Sequence, residues 1–140
     1  MTTSIHGQVQ HINPEGLSKN PAFTNVIVVT GQAKTIYIGG QDAVDASGTI
    51  VGKGDLKQQA EQVLNNLQTA LKAGGAELEH IIKWNVYVVQ GQDIRPAVGV
   101  FQSTWGRRPN PPAITMTFVA GLANPDFLVE MDAIAVVPET

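Results

Sequence analysis

The chain has 140 residues, 12 acidic against 9 basic side chains, 43% hydrophobic and 15% charged content, and no cysteine. Length of this order suits one domain. The lack of cysteine excludes disulfides, thiolate nucleophiles and sulfur-ligated zinc or iron–sulfur centres. A formal net charge of −3 argues against a binder of nucleic-acid phosphates, whose affinity comes from clustered cations releasing counterions.

Further exclusions follow from runs and spacings. Ordinary domains carry roughly 25% charged residues, so a 15% share suggests apolar surface hidden between subunits. Apolar runs such as Val26 to Val29 fall far short of the roughly 20 residues needed to span a bilayer. The N-terminus lacks the basic, apolar and small-residue order of a signal peptide, so a cytoplasmic protein with no membrane partner is expected. The three histidines, His6, His11 and His80, are scattered without metal-binding spacing, and no metal or other cofactor is expected.

In chain order, β-branched clusters at Val26–Thr30 and Thr35–Ile38 flank Gly31-Gln32-Ala33-Lys34, which predicts a hairpin. Five glycines between Gly39 and Gly54 predict a loop. Leu56, Ala60, Val63, Leu64, Leu67, Ala70 and Leu71 then recur at helical spacing, with Asp55 as cap and Gly74-Gly75 as stop. His80 to Val89 alternates as a strand, with Ile82, Trp84, Val86 and Val88 on one face. Asp93 caps a shorter helix whose face is Ile94, Ala97, Phe101 and Trp105, and Pro96 is tolerated in its first turn. Strands at about Ala113 to Ala120 and Phe127 to Val137 follow, joined by a turn around Asn124-Pro125-Asp126. This order predicts an α+β fold with two helices on one face of a mostly antiparallel sheet. The other face then needs a cover, for which another subunit is the simplest candidate.

One segment stands out chemically. Period-two alternation on the last strand sets Glu130 and Asp132 on one face with Leu128, Ile134 and Val136. If that face is covered, desolvation and mutual repulsion shift the two carboxyl groups, which is how a fold makes a general acid or base at neutral pH. A solvated edge strand, or pairing with a lysine or arginine, explains the same spacing without catalysis.

With these elements in place, the chain resembles the Rid family, also called YjgF. The likeness is carried by Tyr37-Ile38-Gly39-Gly40-Gln41, by Gln62-Val63-Leu64-Asn65-Asn66-Leu67, and by Ile81-Ile82-Lys83 leading into Val86-Tyr87-Val88. Pro112-Ala113 and Val129-Glu130-Met131-Asp132-Ala133-Ile134-Ala135 complete it. The resemblance implies a chorismate-mutase-like mixed sheet in a homotrimeric barrel, with small-molecule clefts between subunits, while the net charge leaves no nucleic-acid partner expected. The best-known branch of the family hydrolyses reactive enamines and imines. The resemblance sets Glu130 in the place of the glutamate that positions or activates water, and the run Ile114, Thr115 and Met116 at the cleft.

Departures from that branch bear on the substrate. Ile114 stands where the branch has an arginine that grips the substrate carboxylate, Met116 where it has cysteine, and Phe23 where it has a cleft tyrosine. Gly39 replaces a serine, and Val98 falls at an asparagine of the second helix. A charge-assisted contact to a carboxylate is worth roughly 1.5–3 kcal/mol, so its loss implies at least a tenfold cost in binding amino-acid-derived imines and weak 2-aminoacrylate deaminase activity. Arg107 and Arg108 lie six or seven residues upstream of Ile114, as solvated loop charges or as replacement cations. Two functions remain open on the sequence. One is hydrolysis of a neutral or apolar imine, enamine or related metabolite with water placed by Glu130. The other is a non-catalytic trimer that binds a metabolite or serves as a scaffold. Nuclease activity is the weakest reading, since no basic or stacking stripe is present.

Overall fold

The computed structural model describes residues 6–140. Six strands and two principal helices follow in the order β1 (Gln8–Ile12), β2 (Val26–Thr30), β3 (Ala33–Gln41), α1 (Leu56–Ala73), β4 (Ile81–Val89), α2 (Arg95–Trp105), β5 (Ala113–Val119) and β6 (Val129–Pro138). A short 3₁₀ turn, Leu78–His80, precedes β4. The main sheet has strand order β3-β6-β4-β5. β6 runs antiparallel to both neighbours, whereas β4 and β5 are parallel and joined through α2. The result is an α+β fold with a mixed sheet.

The predicted hairpin between the first two β-branched runs is not formed. β2 pairs with β1 in a separate two-stranded ladder, Ile12 opposite Val26, while β3 pairs with β6. Both runs have the composition of strands, but pairing is decided by the packing each strand finds across the fold. The predicted loop also begins too early, because β3 continues through Gly39 and Gly40 to Gln41 across a register shift.

α1 follows its sequence pattern. Asp55 caps it, its Oδ1 accepting from the Gln58 amide at 3.1 Å, and Gly75 ends it in the left-handed region at φ +82°. Leu56, Val63, Leu64, Leu67 and Leu71 are buried against the sheet. Gln59 is fully buried on the same helix. Its Nε2 donates to the carbonyls of Gly52 and Asp126, and its Oε1 accepts from the Leu128 amide. One amide side chain thus fixes the entry to β6.

β4 supplies Trp84, Val86 and Val88 to the core, but Ile81 is buried with them rather than Ile82. A register shift between Ile81 and Lys83 inserts a residue and moves Ile81 to the core side. Trp84 meets Phe101 of α2 with ring centroids 4.6 Å apart. At the start of α2, Asp93 accepts from the Arg95 amide, yet the cap position is Ile94, one residue later than predicted, with Pro96 in the first turn. β6 is an inner strand, so its carboxylates do not lie on a solvated edge. Among the described residues, no helix is long and apolar enough to cross a membrane.

Candidate functional site

Alternation along β6 divides its chemistry between the two faces. Val129, Met131, Ala133 and Ala135 are buried on the helix side, which turns Glu130, Asp132 and Ile134 to the opposite face. Leu128 departs from its predicted place with Glu130: it precedes the strand and packs against the core. Val136 is buried beside residues of β1, which cover that end of the sheet.

The helix side opens into an apolar recess of about 390 Å³. Its floor is Val86 and Val88 of β4 with Val129 and Met131 of β6; α2 and β5 form the walls, and Phe23 closes one end. Thr24 sets that end in place. It is buried, its amide donates to the Pro112 carbonyl at 3.1 Å, and its hydroxyl donates to the Pro111 carbonyl. Phe23, Val98 and the β5 pair Ile114 and Met116 therefore come together from three distant parts of the chain. Val98 and Met116 remain 39% and 44% exposed, so the recess has an unsealed apolar rim.

Glu130 is not part of this recess. It lies over the β3 bulge, where a Cβ on Gly40 would stand 2.7 Å from its Oε2. Its carboxyl meets that of Asp42 closely enough to share a hydrogen bond. Burial first, then that hydrogen bond and the repulsion of Glu130, push the Asp42 carboxyl up to about 7. Tyr87 stands opposite Glu130 on β4. Hydrogen bonding toward Asp132 first, then desolvation, raises the phenol above its ordinary range. Asp132 also accepts from Asn85 Nδ2 at 2.7 Å. Glu130 and Asp132 thus share the face expected from their spacing, and Asp42 adds a further carboxyl beside Glu130.

The other sequence candidates separate. Thr115 points to the polar face and accepts from Lys83 Nζ at 2.7 Å. Gly39 is exposed at the bulge. Arg108 is engaged at the end of α2, its Nη1 donating to the carbonyls of Thr104 and Trp105 and its Nε facing Glu79 at 3.3 Å. Arg107 is exposed, and neither arginine lines the recess. His80 Nδ1 accepts from the Glu77 amide, and burial lowers the His11 imidazole below its usual range. Among the described residues, no group of three or more acidic or histidine side chains is placed to hold a metal ion.

The model of the family described as endoribonuclease L-PSP matches residues 18–137. The chain belongs to the Rid/YjgF/L-PSP family. A Rid family protein of Yersinia pestis, YyfB, superposes with a TM-score of 0.80 at 30% identity, covering 92% of this chain and 98% of that one. The YjgF product of E. coli gives a TM-score of 0.65 at 28% identity, over 73% of this chain and 80% of that one. A RutC family protein of Synechocystis is 35% identical over 74% of this chain and 78% of its own length. The 2-iminobutanoate/2-iminopropanoate deaminase of Rattus norvegicus is 29% identical over 82% of this chain and 80% of its own length. In this Rid-family chain, the residue that spacing alone did not single out is Asp42. The only signal for it was its position just after the paired glycines.

Proposed function

We propose that this Rid-family chain assembles into a closed homotrimer whose inter-subunit clefts hydrolyse a neutral or apolar imine or enamine. The carrying observation is the apolar recess in which Phe23, Val98, Ile114 and Met116 meet. It offers no cation to a substrate carboxylate: Ile114 forms the wall, and Arg108 is held elsewhere by the α2 carbonyls. An aliphatic wall favours an apolar substituent and leaves a carboxylate desolvated and unpaired.

The placement of Glu130 supports assembly in a ring. The recess opens beside β5, one edge of the sheet, whereas Glu130, Gly40 and Asp42 gather beside β3, the other edge, and on the opposite face. A single chain does not bring the two halves together. A head-to-tail interface sets the β5 edge of one copy against the β3 edge of the next, and a ring closes when the rotation repeats an integral number of times. Glu130 of one copy then holds water against a substrate seated in its neighbour's recess.

The deaminase activity named for the rat relative supports C=N hydrolysis as the reaction class, with a changed substrate. An endoribonuclease reading has the family description behind it, but the polar face bears Asp42, Glu130 and Asp132, which repel a phosphate backbone. The test is ammonia release from imines generated in situ by an amine oxidase. A carboxylate-free alkyl or aryl imine is expected to be hydrolysed at least about tenfold more efficiently than 2-iminopropanoate, and Ile114→Arg is expected to reverse that order. Faster turnover of the carboxylated imine by the unaltered chain would overturn the proposal. Saturable binding of a neutral imine analogue with no ammonia release would replace it with a metabolite-binding trimer.

A further inference from the structure

The bulge in β3 decides what faces Glu130. Ile38 pairs with Ala133 and Gln41 with Met131, so three steps along β3 meet two along β6. Were the regular register to continue from Ile38, Gln41 would stand opposite Glu130. With the bulge, the antiparallel register brings Asp42 there. Gly40 leaves the space that the Glu130 carboxylate occupies, its absent Cβ lying within 2.9 Å of Glu130 Cδ. From α1, Asn66 Nδ2 donates to the backbone carbonyls of Asp42 and Val44 at 2.9 and 2.8 Å, and Gln62 holds the Asn66 amide in turn.

The surroundings supply no counter-charge. Among the described residues, neither carboxylate enters an ion pair. Lys83, a cation of the same face, is bound to Thr115. Tyr87 and Asp132, from β4 and β6, add a phenol and a further negative charge, and α1 contributes only the neutral Asn66 and Gln62. In the following loop, Asp45 is tied to Ser47 and Thr49, and Lys53 faces Asp126. Asp42 Oδ1 is buried and has no hydrogen-bond donor from a neighbouring group.

We propose that Asp42 and Glu130 hold one proton between them and work as a single acid–base unit, in which Asp42 is the positioning and proton-holding partner. Two carboxylates in contact with no cation cannot both ionise cheaply, so one keeps its proton and donates it to the other. The direction of the Asp42 shift agrees. Because each step on the pair affects the other, the two groups titrate as a unit.

The catalytic consequence rests on the hydrolysis proposed above. Water oxygen bonds to the imine carbon while the C=N π pair moves to nitrogen. The nitrogen takes the proton held by the pair, and the carboxylate takes the proton released by the water. In the resulting carbinolamine the C–N bond breaks, the hydroxyl proton passes through the pair to nitrogen, and carbonyl product and ammonia leave. The pair ends as it began, with one proton.

The test is a ¹³C NMR titration of the Asp42 carboxyl carbon in the full chain, in Glu130→Gln and in Glu130→Ala. The Asp42 carbon is expected to titrate near 7 and to fall by about one unit or more in Glu130→Gln. Glu130→Ala removes the same charge without leaving an amide in its place, which gives a second readout of the Asp42 midpoint if Glu130→Gln does not fold. An Asp42 midpoint below about 5 in the unaltered chain, or one unmoved by loss of the Glu130 carboxylate, would overturn the pair. A coupled titration without turnover of any imine supports the pair and removes the hydrolysis proposal. Turnover with an ordinary Asp42 titration does the reverse.

Discussion

At Asp42 the fold holds a proton that the unfolded chain releases at lower pH. The carboxyl is pushed from 3.8 up to about 7, so between those values the folded state binds more protons than the unfolded state. Stability attributable to this group therefore falls as pH rises through the window, opposite to the usual behaviour of a paired carboxylate. Urea midpoints taken at about pH 5 and about pH 8 are expected to fall for the unaltered chain by more than for Asp42→Asn. An equal fall in both would show that Asp42 carries no part of the dependence. Glu130 was legible in the sequence because a carboxylate within an alternating aliphatic strand is conspicuous. Asp42 was not, because its partner is set by a bulge at Gly39-Gly40, and paired glycines read equally well as a loop.

The elements that the sequence predicted well are those held by local periodicity. α1 keeps its cap, its apolar stripe and its glycine stop, and α2 differs only by a residue at its start. The strands were found, but not all their partners: β2 turned from its predicted mate to β1, and Ile81 took the core position expected of Ile82. Period two reports which residues share a face. It does not report which strand lies alongside, nor where a bulge reverses the order. The buried Gln59 escaped the pattern for a related reason, since its three bonds reach Gly52, Asp126 and Leu128, the last two far along the chain. Gln59→Leu keeps the volume while leaving those backbone groups unpaired. It is expected to cost about 2–4 kcal/mol in denaturant unfolding, with greater mobility at the start of β6. A cost within about 0.5 kcal/mol would show that the amide does not anchor that strand.

Across the whole molecule, one sheet separates an apolar recess from a polar face rich in carboxylates. Four of the sequence-derived candidates, Phe23, Val98, Ile114 and Met116, line the recess, while Glu130 and Thr115 belong to the other face and Gly39 to the β3 bulge. A strand pattern could not reveal that division, because it depends on how β5 and β3 become the two edges of one sheet. The same division makes assembly the central claim, since a site that uses both Ile114 and Glu130 has to be completed by another copy. Sedimentation equilibrium at micromolar concentration measures this directly. The account predicts a single species of about three times the 14.9 kDa chain mass; a stable monomer would contradict it.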